Sequence, residues 1–261
     1  MTLQLATWNV NSLKVRLAHL LDWLATHRAD IVCLQETKLV DEQFPVAALA
    51  DAGYAAVFSG QKTYNGVAIL SRRDTLPPPA DIVTALPEFD DTQKRVVAAT
   101  CGTLRVVCAY FPNGQSVGSD KYDYKLRWIA ALNRWLGAEL ARQPRLALAG
   151  DFNVAPEDRD VHDPAAWAGQ VLCSEPEREA FGGLIKLGLV DSFRQFEQPD
   201  RSYTWWDYRM LAFRRKMGLR IDHILLSLQL APHCTACTID IEPRRREQPS
   251  DHTPVIATLS L

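Results

Sequence analysis

Arg145-Leu146-Ala147-Leu148-Ala149-Gly150-Asp151-Phe152-Asn153 is an apolar run that ends in a glycine, a carboxylate and an amide. The run is short, lacks internal polarity and is bounded by Pro144 and Gly150, so it reads as a buried strand. Gly150 removes the side chain where the strand stops and lets another chain or a ligand come close. Asp151 and Asn153 are two apart in extended chain and project from the same face. So placed, they can hold a water, a metal or a phosphate oxygen. The same residue types also suit an ordinary turn.

The grammar recurs. Thr7-Trp8-Asn9-Val10-Asn11 follows Leu3 to Ala6, and Gln35-Glu36-Thr37 follows Asp30 to Leu34. Val106 to Tyr110 precedes Phe111-Pro112-Asn113-Gly114. Arg220-Ile221-Asp222-His223 leads into Ile224 to Leu226, and Ser250-Asp251-His252-Thr253 leads into Pro254 to Ile256. Each apolar strand carries Asn, Glu, Tyr, Asp or His at one end. One site built where strand ends converge accounts for this better than independent coincidences.

These stretches resemble the exonuclease III family of abasic-site endonucleases, within the endonuclease/exonuclease/phosphatase superfamily. The matching pieces are TWNVNSLKVR, DIVCLQETK, YFPNG, LAGDFNVAP, LVDSFR, YTWWDYR, LRIDHILLS and SDHTPV, spread from residue 7 to residue 255. Each alone is a weak signal; their order and spacing together are specific. The resemblance implies a DNA repair nuclease that removes nucleotides from 3′ ends and cuts 5′ to abasic sites of duplex DNA. It also implies a monomer.

The chain has 261 residues, of which 47% are hydrophobic and 23% charged, an ordinary globular composition. Strand-end motifs from both halves must meet, so residues 1–261 are expected to form one domain. Strand-then-helix patterns in both halves predict a four-layer α/β-sandwich, and the resemblance implies the same: two mixed, mostly antiparallel sheets packed face to face with helices outside. The net charge of −2 argues against non-specific coating of nucleic acid but leaves room for a local basic face. Cys234-Thr235-Ala236-Cys237 is a lone pair with no partner pair, so neither structural zinc nor a disulfide framework is expected. No signal peptide and no membrane-length apolar run are present, which predicts a cytoplasmic protein without membrane contact.

Strands are expected at 3–9, 30–36, 54–59, 66–70, 95–101, 104–110, 145–150, 220–226, 234–241 and 254–260. More strand pattern follows Pro77-Pro78-Pro79. Leu13, Leu17, Leu20, Leu21 and Leu24 recur at helical spacing behind Ser12, a candidate N-cap. The longest helix is expected at 121–142 and another at 175–187, stopped by Gly188. Residues 154–174 and 194–219 read as long loops, which are usually functional or disordered.

Phosphodiester hydrolysis must neutralise the phosphate, deprotonate a water and stabilise the leaving oxygen. Mg²⁺ suits such a site because it needs only one or two protein carboxylates; Mn²⁺ is an acceptable substitute. Glu36, polar at the end of an apolar strand, is the first candidate ligand, Asp251 the second, with Asn9 at or near the metal. Asn11, Asp151 and Asn153 are further candidates for the ion. Where the family allows Asn or Asp, this chain has Asn11, one negative charge fewer, which predicts weaker metal affinity. Tyr110, Asp151, Asn153, Asp222 and His252 form the candidate catalytic group. The resemblance implies that Asp222 orients His252, and that Trp205 is the pocket aromatic. Sequence alone leaves Asp151 and His252 both open as the group that activates the water.

Between residues 209 and 220 there are five basic residues and no acidic ones, beside Trp205 and Trp206. Basic plus aromatic is the composition of a surface that tracks phosphates and stacks an unpaired sugar or base. Trp205 and Arg209 are therefore candidate DNA contacts, with Lys94, Arg95, Asn113, Lys121 and Lys125 as further ones. Arg244-Arg245-Arg246 reads as solvated surface. His162, in the acidic loop shortly after Asn153, is a candidate wall of the substrate pocket. Two other readings share part of this pattern. A phosphatase acting on a small or lipid phosphate would keep Glu36, Asp151 and His252 but not YTWWDYR. A catalytically dead DNA-binding module would have lost polar residues that this chain retains.

Overall fold

The computed structural model describes residues 2–261. Strands β1 (Thr2–Asn9), β2 (Ile31–Gln35), β3 (Tyr54–Ser59), β4 (Val67–Arg72), β11 (Cys234–Ile239) and β12 (Val255–Ser260) form one sheet in the order β11-β12-β1-β2-β4-β3. Strands β5 (Ala80–Val83), β6 (Val96–Cys101), β7 (Leu104–Tyr110), β8 (Leu146–Asp151), β9 (Leu189–Asp191) and β10 (Asp222–Ser227) form the other, in the order β5-β6-β7-β8-β10-β9. β1/β2 and β7/β8 pair in parallel. The other pairings are antiparallel.

Both faces of each sheet are covered, which is why the strands read as flat apolar runs rather than alternating ones. Leu5, Ile31, Cys33 and Ile69 meet Val97, Val106, Cys108 and Ala149 in the core between the sheets. The alternate residues Ala6, Trp8, Val32 and Leu34 face outward beneath α1 (Leu13–His27), which contributes Leu20, Trp23 and Leu24. The short α2 (Val46–Asp51) adds Leu49. On the opposite side Ala98, Val107 and Leu148 lie under Trp128, Ile129, Leu132 and Leu136 of α3 (Asp120–Arg142). Phe181 and Leu184 of α5 (Glu175–Lys186) complete that layer. Each such large side chain stabilises the fold by roughly 1.5–3 kcal/mol through burial. The result is the expected four layers.

Several local readings need correction. Ser12 makes no side-chain cap; at φ 89 it instead donates its backbone N–H to Glu36 O at 2.8 Å. That bond ties the start of α1 to the end of β2. α1 runs on to His27, where Arg28 takes a left-handed conformation at φ 52. The loop after β8 contains a 3-10 turn at Asp158–Asp160 and a short helix, α4 (Pro164–Trp167). β9 is a three-residue edge strand that the pattern did not reveal. All six cysteines are buried and none is disulfide-bonded. No helix among the described residues is long and apolar enough to cross a membrane.

Candidate active site

Register decides which side chains meet. At the end of β8, Asp151 lies opposite Tyr110 of β7 on one side and Asp222 of β10 on the other. The approach at this end is tight. A Cβ on Gly150 would stand 1.8 Å from the Ala109 carbonyl oxygen, so only glycine fits there. From the other sheet, Asn9 Nδ2 donates to Asp151 Oδ2 and to Glu36 Oε1, both at 2.9 Å. Asn9 Oδ1 accepts the Asn11 N–H at 2.9 Å. Asn9, expected at or near the metal, bridges the two carboxylates with its oxygen turned to the backbone.

His252 enters from the turn before β12. Its Nδ1 is 2.9 Å from Asp222 Oδ2, and its Nε2 is 3.7 Å from Asp151 Oδ2. Burial would lower the imidazole's pKa, but the carboxylates of Asp222 and Asp151 outweigh it and raise it to about 10. The two carboxylates thus favour the protonated imidazole. Burial pushes the Asp151 carboxyl up to about 7; the His252 charge opposes that shift and the Asp222 charge adds to it. Burial, then the Glu36 and Asp151 charges, also raise the Tyr110 hydroxyl.

Asn153 is fastened to the same carboxylate. Its N–H donates to Asp151 Oδ1 at 2.9 Å, and its Nδ2 donates to Asp151 Oδ2 at 3.3 Å and to Phe111 O at 3.1 Å. Asn113 Nδ2 donates to Asn153 Oδ1 at 3.1 Å. Asn11, Glu36 and Asn153 all hold positive φ, at 43, 51 and 49. Such non-glycine backbones cost roughly 1–3 kcal/mol each and persist where the surroundings over-determine them.

Ligand atoms of Glu36, Asp151 and His252 all lie within 4.8 Å of one another, the one such grouping of acidic, histidine or cysteine side chains among the described residues. Two carboxylates beside neutral amides suit a hard divalent cation. Asp251, expected as the second ligand, lies outside this triangle. Its Oδ1 accepts from Asn11 Nδ2 at 2.9 Å and its Oδ2 from Trp205 Nε1 at 3.0 Å. Lys38 was missed, although it stands in the QETK stretch. Its Nζ is 2.8 Å from Glu36 Oε2 and 2.5 Å from Asn11 Oδ1.

Around this centre the candidate contacts divide. Trp205 is half-buried and pairs with His252 and Leu219, whereas Trp206 is a core residue. Arg209 is exposed and ion-paired with Asp207 at 2.7 Å. Arg95, Asn113 and Lys121 line one groove of about 550 Å³ with Tyr64 and Gln115. Arg95 also lies over the Tyr110 ring, its Cζ 4.8 Å from the centroid. Lys94 is half-buried, its amide bound to Gln61 Oε1 at 3.1 Å. His162 Nδ1 is 3.3 Å from Gly218 O, and its ring sits edge-on to Trp167.

Three basic residues expected at the surface are inside. Arg220 is 1% exposed and pairs with Asp160 and Asp191. Lys125 is wholly buried against Glu177. Arg244 lies between Tyr208 and Phe213, its Cζ 5.2 Å from each ring centroid. A cation can be held inside only by a carboxylate or an aromatic face, and these partners are distant in sequence.

The endonuclease/exonuclease/phosphatase family matches residues 6–252 of this chain. Exodeoxyribonuclease III of Haemophilus influenzae is 34% identical over 264 residues, covering 96% of this chain and 97% of that protein. Among solved structures, the 3′ phosphatase NExo from Neisseria, bound to product DNA hairpin, superposes with a TM-score of 0.96 at 46% identity, covering 99% and 100% of the two chains. An AP endonuclease from Archaeoglobus fulgidus superposes at 0.94 with 38% identity, again covering 99% and 100%.

Proposed function

The chain belongs to the endonuclease/exonuclease/phosphatase family, and from that premise we propose that its site hydrolyses phosphodiesters of duplex DNA in repair, at 3′ ends and 5′ to abasic sites. Residues 1–261 are read as one domain, acting as a cytoplasmic monomer. The observation that carries the proposal is the meeting of Asp151, held by Asn9 and Asn153, with a His252–Asp222 pair.

Glu36 and Asp151 would hold the divalent cation, taken to be Mg²⁺, with Asn9 setting the spacing between them. When bound, that cation supplies charge neutralisation for the phosphate and the leaving oxygen. Asp151, held as a carboxylate by Asn9 and Asn153, is the group placed to accept a proton from water. Asn153 and Asn113 orient that water. His252, protonated and held by Asp222, presents Nε2 as a donor to a phosphate oxygen. Tyr110 offers its hydroxyl as a second donor. Both donors face the place where negative charge develops, which is the arrangement that lowers such barriers. Trp205, Arg209, Lys121 and Arg95 provide the surrounding DNA contacts.

The test uses two labelled duplexes, one with a recessed 3′ end and one with a single abasic site, each with and without Mg²⁺. Cation-dependent shortening or incision is expected. Intact duplexes beside rapid release of phosphate from a small phosphomonoester would overturn the reading in favour of a small-molecule phosphatase. Tight DNA binding with no product would favour the inactive binding module.

A further inference from the structure

Beneath the loops that carry Asn113 and Asn153 lies an ion pair between Lys125 of α3 and Glu177 of α5. Both side chains are 0% exposed. Glu177 Oε1, the oxygen that meets Lys125, also accepts from the Leu172 N–H at 3.0 Å, and Oε2 accepts from the Ser174 N–H at 3.1 Å and Ser174 Oγ at 2.5 Å. The ammonium of Lys125 has two further bonds. They run to the Asn153 carbonyl at 2.6 Å and the Asn113 carbonyl at 3.2 Å. All three of its protons are thus committed.

A buried ion pair is a poor device for stability alone, because desolvating two charges costs about as much as their attraction returns. Burial pushes the Lys125 ammonium below its ordinary value, and Glu177 works against that shift. An apolar pair of similar volume would fill the space. What an apolar pair could not do is bond two carbonyls. The Asn153 carbonyl belongs to a backbone held at φ 49, the same left-handed turn that brings the Asn153 amide onto Asp151. Asn113, the other anchored residue, donates to Asn153 Oδ1. The loop also closes tightly over the lysine stem. A Cβ on Gly114, which has φ +94, would come within 3.2 Å of Lys125 Cδ.

We propose that Lys125 is a positioning residue for hydrolysis: steadied by Glu177, its ammonium clamps the Asn113 and Asn153 carbonyls and so aims the Asn153 amide at Asp151. The inference rests on the reading of Asp151 and Asn153 as the pair that handles the attacking water. Lys125 touches neither water nor phosphate and acts only through Asn113 and Asn153.

The experiment compares the wild type with Lys125→Met, and with Lys125→Met/Glu177→Gln, which removes both charges and leaves no buried ion unpaired. Turnover on the recessed 3′-end duplex with Mg²⁺ is read beside the thermal midpoint. The double variant is expected to fold with a midpoint near wild type, yet to lose roughly 10- to 100-fold in kcat with KM little changed, as losses of supporting contacts do. In an Asn153→Ala background the same two substitutions should cost little more, because the residue they serve is gone. A double variant that recovers both midpoint and kcat would overturn the inference, leaving the pair as packing. So would losses that multiply fully with Asn153→Ala. A wild type that leaves the duplex intact in Mg²⁺ overturns the nuclease reading itself. A cutting wild type beside an equally active double variant overturns only the role of Lys125.

Discussion

Asp222 holds His252 through one oxygen at 2.9 Å, and its second oxygen finds no hydrogen-bond partner among the described residues. Asp222→Asn keeps the shape and removes the charge. The imidazole, now raised to about 10, should then fall, because burial is the opposing cause and would be less resisted. If protonated His252 clamps the phosphate, activity is lost as pH rises through its pKa, so the alkaline limb of the rate profile should move to lower pH. A kcat loss of roughly 10- to 100-fold is expected, with DNA affinity within a few-fold of wild type. Collapse of affinity with kcat intact would make Asp222 part of the DNA surface instead. Asp151 yields a second expectation, of the opposite sign. Its carboxyl is raised to about 7, so below that pH a cation must displace a proton to bind. Mg²⁺ affinity, measured by calorimetry, should rise with pH by up to about tenfold per unit below about pH 7 and level off above it, with proton release on the acid side. An affinity flat with pH would mean that Asp151 does not hold the ion.

The loop after β8 shows what separates readable elements from unreadable ones. His162 projects from it, and its backbone N–H is bonded to Gly218 O at 3.1 Å. Asp160, fully buried, accepts from Arg220 Nε at 2.6 Å, and Arg220 in turn donates its N–H to Asp160 O at 2.9 Å. Val161 and Trp205 both bridge to Leu219, so His162 adjoins the residue that flanks Trp205. A loop locked this firmly makes His162 a fixed wall rather than a side chain that swings aside. Swinging an abasic sugar out of the duplex costs roughly a few kcal/mol, which the pocket must recover. His162→Gly should therefore raise incision at an internal abasic site several-fold relative to 3′ exonuclease turnover on the same preparation; an unchanged ratio would leave His162 as loop packing. The strand ends were legible because Asn9, Glu36, Asp151, Asp222 and His252 interrupt apolar runs, and burying a polar group at a strand end is costly unless partners converge on it. Asp160–Arg220 was not legible. Its partners are 60 residues apart, and each alone resembles a surface charge. Lys125 was misread for the same reason, as its partner Glu177 is 52 residues away. The edge strand β9 escaped because three residues carry no periodicity. The orientation of the Asn9 amide followed from a backbone bond to Asn11 that no sequence pattern encodes.

Charge must be counted by location before it says anything about DNA. The chain carries 29 basic and 31 acidic residues, so its net charge of −2 offers no overall attraction to a polyanion. Arg105, Lys125 and Arg220 are committed to buried pairs with Glu139, Glu177 and Asp160. Arg244 lies between two rings and is 8% exposed. Attraction must come from basic side chains that remain on the surface near the site. The loop from Arg209 to Lys216 supplies Arg209, Arg214, Arg215 and Lys216, all exposed. Of these, Arg209 is already paired with Asp207. Arg214, Arg215 and Lys216 are left facing solvent. Each phosphate contact contributes about 0.9 to the slope of log affinity against log salt. Replacing all three with glutamine should therefore flatten that slope by between about one and about three, while kcat at saturating duplex stays near wild type. Binding titrations across a salt series would check this. If the slope is unchanged, the DNA runs over the groove of Arg95 and Lys121 instead, and the matching pair of substitutions there should flatten it.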